Sequence, residues 1–430
     1  MRQYWTWTAA AAALAVVLTG APAGAQTVAI TGGKVYPVSG APIDHGTVLL
    51  RDGKVAGVGA NIAIPPGAQR IDATGKIVTP GLFNAATELG VQEIGAVSTT
   101  RDYSARGHDQ IAAAFSVWDG LNPTSVLIPP ARDGGITSVM ILPQGGLISG
   151  QAAVIHLVNG SAADMVMRAP VAMVTYVGAP QRGVAASRGE LLLRLREVLD
   201  DARTYARRRA DYDRAQTRPF AATRLDLEAL IPVIQGRLPL LVEADKSSDI
   251  ESALKLANDF GLKLIIAGGA EAWMVADRLA AAKVPVLTGA MNNIPNSFAE
   301  LGARQENAGV LARAGVPVVL IGNAGGGDEE AFNVRNVRFE AGNAVAYGMD
   351  RDAALRAITL TPAEVFGVSD RVGSLDVGKD ADVVVWSGDP FEFATQPEHV
   401  FIRGREMMVP TRQDLLEQRY RTLPPDYHRP

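Results

Sequence analysis

The chain has 430 residues, of which 47% are hydrophobic, and a formal net charge of −4. That supports a large core with a smaller satellite domain, and the charge lacks the strong basic excess that marks most nucleic-acid binders. There is no cysteine, which excludes disulfides, thiolate metal ligands and a lipidated cysteine behind a leader.

Residues 1–25 read as a signal peptide. Arg2 supplies a positive start, the apolar run TAAAAALAVVL spans Thr8 to Leu18, and Ala23-Gly24-Ala25 places small residues before a cut ahead of Gln26. The expected location is the periplasm or the exterior. No other stretch offers about 18 uninterrupted apolar residues, so no membrane span is expected.

Residues 26–78 carry short alternating runs, VAITGGKVYPV and GTVLLRDGKVAGVG, with a hairpin signal at Arg51-Asp52-Gly53. Residues 359–409 have the same character in GSLDVGKDADVVVWSGDPF and HVFIRGREM. Each segment alone has too few strands to close a core. Together they are expected to form one composite β-sandwich domain, with 410–430 as a tail.

The stretch between them, 79–358, alternates doubly apolar strands with amphipathic helices. Strands are expected at 79–84, 135–142, 170–176, 238–244, 262–268, 284–289 and 316–322, with helices near 249–260 and 337–348. This is an α/β pattern of about eight βα units, and it predicts a closed (β/α)8 TIM barrel. A dinucleotide-type open sheet is disfavoured, because no Gly-x-Gly-x-x-Gly turn follows the first strand. Residues 189–215 predict one long helix, with Leu191, Leu192, Leu195, Val198, Leu199, Ala202 and Tyr205 on one face. Its other face carries Arg194, Arg196, Arg203 and Arg207 to Arg209, read as a solvated face.

In such a barrel the chemistry sits at the C-terminal ends of the strands. Those ends present Ala86, Thr87 and Glu88 after the first strand, then Glu243 and Asp245, then Gly268, then Asn323 and Asp328. Three stretches stand out, IDATGKIVTPGLFNAATELG, GGITSVMILPQGGLISGQAAVIHL and FEAGNAVAYGMDRDAALRAITLTPAEVFGVSDRVGSLDVGKDADVVVWSGDPF, and they carry a resemblance that extends over about residues 28–408. On them the chain resembles the amidohydrolase superfamily of metal-dependent hydrolases, in its imidazolonepropionase-like branch.

The resemblance implies a set of metal ligands, and these do not carry over. The His-x-His of the first strand falls on Ala86 and Glu88, two further histidines fall on Glu243 and Gly268, and the aspartate that acts as general base falls on Asn323. A bound zinc lowers the pKa of water from about 15.7 to about 7, worth roughly 12 kcal/mol at about 1.36 kcal/mol per unit. A carboxylate base at Glu88 or Glu243 recovers about 3 to 5 kcal/mol of that. The amide of Asn323 accepts no proton at neutral pH.

The resulting expectation is a degenerate member: a pseudoenzyme without a cofactor. It would bind a small molecule in the barrel mouth, as a homodimer or as the partner of an active amidohydrolase in a heterodimer. The alternative is a hydrolase of amide or dipeptide-like C–N bonds. It would use Glu88 and Glu243 as paired carboxylates, with Asp245 a further candidate, or zinc or another divalent ion held by an unusual set. Glu88, Glu243 and one of His108 or His156 would make an oxygen-rich set suited to a hard cation. All five histidines, His45, His108, His156, His399 and His428, are otherwise expected in structural or surface roles.

Overall fold

A computed structural model describes residues 27–180, 183–291, 295, 297–322, 329–408, 410 and 412–421. The expected leader, Asn323 and Asp328, and His428 lie outside the described residues.

The N-terminal segment forms β1 (Thr27–Val35), β2 (Ile43–Arg51), β3 (Lys54–Gly59), β4 (Gln69–Asp72) and β5 (Ile77–Pro80). The Arg51-Asp52-Gly53 signal is the tight turn between β2 and β3, with Asp52 and Gly53 both at positive φ. The barrel staves are β6 (Leu82–Thr87), β7 (Ile136–Ile141), β8 (Ile148–His156), β9 (Val166–Tyr176), β10 (Leu240–Ala244), β11 (Leu264–Gly268), β12 (Val286–Thr288) and β13 (Val318–Leu320). The C-terminal segment adds β14 (Val383–Trp386), β15 (Pro397–Ile402) and β16 (Arg405–Glu406).

The two ends of the chain share one eight-stranded sheet, ordered β16-β15-β14-β5-β1-β2-β3 with β4 also on β1. The seam is the antiparallel pairing of β5 with β14, which sets Thr79 against Val384. The domain has its own core, including Ile30, Val48, Leu50, Val78, Val383, Val385 and Phe401. Trp386 is fully buried at the junction with the barrel, its Nε1 donating to Thr79 Oγ1 at 2.8 Å. Its ring lies so close to Gly135 that a Cβ there would overlap it.

The second sheet runs β6 to β13 in sequence order, and β13 comes alongside β6 to leave it nearly closed. All seven strands expected from the sequence are present. The eighth stave, β8, is one that the sequence pattern does not set apart. It comes after the turn at Pro143-Gln144-Gly145-Gly146 and pairs antiparallel with both β7 and β9. The staves β10 to β13 are each followed by a helix: Ser247–Phe260, Ala276–Ala281, Asn307–Arg313 and Val337–Ala346. Alternate residues from successive staves, such as Phe83, Met140, Leu241, Ile265, Leu287 and Val319, fill the barrel, which is therefore a packed core. Ala363, Phe366, Val368 and Val372 pack into the same cluster, so the barrel core extends past the boundary expected at residue 358.

The expected long helix over 189–215 is two helices, Arg188–Arg207 and Arg209–Asp213, separated by Arg208 at φ −124°, ψ 33°. The predicted apolar face is buried except for Leu192, which is half-buried. Much of the arginine face is occupied within the protein. Arg194 pairs with Asp109 at 2.7 Å, Arg203 donates to Phe260 O at 2.6 Å, Arg208 pairs with Asp211 at 2.9 Å, and Arg209 pairs with Glu228.

Candidate functional site

The mouth of the barrel is built where the staves end. Ala86, the next-to-last residue of β6, packs its methyl into the barrel interior and is 8% exposed. Glu88 comes two residues later and is buried, with its Oε1 accepting from the side-chain amide of Gln144 just beyond β7. Asn84, one turn of the pleat below, is also buried; its Nδ2 donates to Val334 O at 3.1 Å and its Oδ1 accepts from Ala86 N at 3.2 Å.

Four steps around the sheet stands β10, carrying Glu243 half-buried near its end, with Asp245 just beyond. Eight staves put β6 and β10 on opposite sides of the barrel. Glu88 and Glu243 therefore face each other across the mouth, and Glu88 is engaged on its own side. The expected combination of both with His156 is not formed. His156 ends β8, which runs against the other staves, so it lies at the far end of the barrel. There its Nε2 lies 2.6 Å from Asp382 Oδ2, both side chains buried. His108 is exposed in the loop after β6, His45 is exposed on β2, and His399 Nδ1 lies 2.6 Å from Glu406 Oε1.

The carboxyl of Asp245 is pushed up to about 6, first by burial and then, against the opposing Ala270 backbone N–H, by the charges of Glu300, Asp249 and Glu271. Burial likewise raises the phenol of Tyr176, at the end of the adjacent stave β9; the Ala179 backbone N–H opposes this, while Asp245 and Asp249 add to it. Asp249 is itself held by Arg188, whose Nε donates at 2.8 Å. Glu271, buried beyond β11, accepts from Ser247 N at 3.0 Å and from Gly302 N at 3.0 Å. Glu340, also buried, accepts from Ala290 N at 2.6 Å and Met291 N at 3.0 Å and so fixes the chain leaving β12.

Gly268 closes β11 at φ +84°, a conformation that only glycine adopts without strain. A Cβ built there would overlap Asp245 Oδ1. The backbone therefore strains any side chain where the resemblance implies a histidine, and the Asp245 carboxyl would have to move aside to admit one.

The described positions thus offer a methyl at Ala86, a carboxylate bound to an amide at Glu88, a half-buried carboxylate at Glu243 and a glycine at Gly268. This donor set does not fit a cation held mainly by imidazole. Among the described residues no three His, Asp or Glu side chains come together to hold an ion.

Gln144, Tyr176, Glu271 and Glu340 are members of the site that the sequence pattern does not single out. The strand-end rule applied to β7 and β9 reaches the first two. The roles of Glu271 and Glu340 depend on backbone N–H groups that no local pattern predicts.

Known proteins share these features of sequence and fold. The amidohydrolase family pattern matches residues 242–407. The amidohydrolase tasK of Hapsidospora irregularis is 27% identical over 393 residues, covering 84% of this chain and 39% of that protein. This chain therefore spans well under half the length of that curated relative. A crystal structure of an amidohydrolase from Thermotoga maritima MSB8 superposes with a TM-score of 0.79 at 29% identity, covering 88% of this chain and 99% of that one. A molinate hydrolase gives a TM-score of 0.55 at 20% identity, covering 89% and 94%, which shows the shared fold. No described helix is long and apolar enough to cross a membrane.

Proposed function

Because the chain belongs to the amidohydrolase superfamily, we propose that it is an exported member whose barrel mouth binds a small ligand without the metal-driven hydrolysis of its relatives. The observation that carries this reading is the left-handed backbone of Gly268, which strains any side chain at the β11 position where the resemblance implies a histidine. Ala86 and the Glu88–Gln144 pair support it from the opposite side of the mouth. Exposed apolar groups beyond β11 and β12, Met274, Phe298 (87% exposed) and Leu301, support association with a second chain, either a copy or an active homologue.

Elemental analysis of the product expressed from the full sequence, purified from the periplasmic fraction of an expression host and dialysed, tests the reading. The expected result is a chain starting at Gln26 with well under one equivalent of zinc, manganese or iron. One tightly held equivalent of any of these would overturn the metal-free reading. A retained leader in a cytoplasmic product would overturn export.

A second reading is favoured by one observation, the carboxyl of Asp245 titrating near pH 6 beside Glu243. A buried acid with that value is suited to proton transfer near neutrality. The chain would then hydrolyse an amide using its carboxylates. In that case Asp245→Asn and Glu243→Gln should each lower kcat by about 10²-fold or more, and wild-type activity should show a pH limb near 6. Activity towards a panel of N-acyl amino acids and dipeptides that survives both substitutions would exclude this reading.

A further inference from the structure

A cleft of about 700 Å³ opens at the end of the barrel opposite the mouth. Its walls fix its position. Pro239, Lys263 and Pro285 immediately precede β10, β11 and β12, whereas Asp245 and Gly268 stand at the other ends of those staves. At about 3.3 Å per residue, a five-residue stave separates the two places by roughly 16 Å. The volume is that of a small-molecule site.

Two properties coincide in this cleft. Its floor includes Val171 and Phe366, buried members of the barrel core. Around it stand four exposed cations, Arg168, Arg237, Lys263 and Lys283, and no carboxylate lines it. Arg168 donates to Gly367 O and Arg237 to Gln235 Oε1 at 2.9 Å, both uncharged acceptors. None of the four belongs to an ion pair among the described residues.

Helix ends account for part of this charge. Arg237, Lys263 and Lys283 follow the C-termini of the helices Arg224–Ile234, Ser247–Phe260 and Ala276–Ala281. Each such end is equivalent to about half a negative charge, so three offset at most about 1.5 of the four positive charges. Arg168 follows no long helix; it lies near the start of β9, which runs on below the neighbouring staves. A surplus of at least about 2.5 charges remains in a concave, partly apolar setting.

We propose that this cleft is a second binding site that takes a small amphiphilic anion, with an apolar body against Val171 and Phe366 and a phosphate head among the cations. The proposal is independent of what the mouth does.

Calorimetric titration of the full protein tests it, with octyl phosphate, octanoate, octanol and inorganic phosphate as probes. Octyl phosphate should bind saturably at one site, about tenfold or more tighter than either octanol or inorganic phosphate. Octanoate, with less charge, should bind more weakly than octyl phosphate. The variant Arg168→Gln/Lys263→Gln/Lys283→Gln should lose about tenfold or more in octyl phosphate affinity at an unchanged unfolding midpoint. Lys263→Glu alone, at an exposed position, should weaken binding in the same direction if the triple variant fails to fold.

Four results would each overturn the proposal. They are no saturable octyl phosphate binding up to about millimolar concentration, equal affinity in the folded variants, octanol binding as tightly as octyl phosphate, and octanoate binding more tightly than octyl phosphate.

Discussion

Gly268 and Asp245 occupy each other's space in a way that neither residue announces alone. The glycine is legible in the sequence as the position where a histidine is expected. Its φ of +84° and the carboxyl packed against it are not, because Asp245 arrives from the neighbouring stave. Gly268→Ala combines left-handed strain with that overlap and should cost about 2 kcal/mol or more of stability, measured by urea titration at neutral pH. Asp245 also makes stability depend on pH. It has a folded value near 6 against 3.8 for the free group. A carboxyl raised in this way stabilises the fold while protonated, and that contribution is lost as pH rises through about 6. The penalty of Gly268→Ala should therefore be measured at a fixed pH. A variant as stable as the wild type would show that the turn can relax, and would weaken the case for a mouth closed to side chains.

Among the elements, legibility tracks period and hydrophobicity. The staves β10 and β11 are continuous apolar runs buried on both faces, and the sequence pattern locates both within a residue or two. The stave β8 escapes that pattern for a physical reason. Its sequence, ISGQAAVIH, mixes glycine, alanine and polar groups, and its antiparallel direction breaks the βα alternation that reveals the others. The helix over 188–213 looks unbroken in sequence because its apolar face continues past Arg208, where only the backbone turns. Glu88, Glu243 and Asp245 are legible because they stand at or just past the ends of apolar strands. The partners Gln144 of Glu88 and Ala270 of Asp245, and the anchoring roles of Glu271 and Glu340, come from contacts that strand ends alone do not specify. One side chain on β14 locks two elements together. Trp386 is fully buried, donates to Thr79 and rests on Gly135 ahead of β7. Trp386→Ala should cost about 3–5 kcal/mol. It should also split a single denaturant transition into two, followed by tyrosine fluorescence and far-ultraviolet circular dichroism. A single unshifted transition would mean that the sheet and the barrel hold together without it.

At the scale of the whole molecule, a buried polar group joins the composite sheet to the barrel. Asp380 accepts from Lys54 at 2.6 Å and Arg371 at 2.9 Å, while His156 of β8 meets Asp382. Burial works to raise the carboxyl of Asp380, but the hydrogen bonds and charges of Lys54 and Arg371 outweigh it and hold it below the usual carboxylate range. A depressed carboxyl contributes stability above its unfolded value, and that stability is lost as pH falls through the folded one. Acid unfolding below about pH 4 should therefore be steeper in the wild type than in Asp380→Asn. Asp380→Asn should be less stable at neutral pH by about 1–3 kcal/mol, since it leaves two cations short of a counter-charge. Superimposable pH–stability curves for the two proteins would remove Asp380 from this role.

The pairing of Pro80 with Val383 joins residues 303 positions apart (383 − 80). At about 5–20 residues per second, a ribosome needs on the order of 15 to 60 s to make the connection between them. Throughout that interval the outer edge of β5 has no neighbour to bond with, and a bare strand edge invites pairing with whatever chain is nearest. A protein arranged in this way depends on being shielded while it is made. Loss of a few dozen residues from its far end would leave its first strands without their mate, and the cell would meet it as an aggregate.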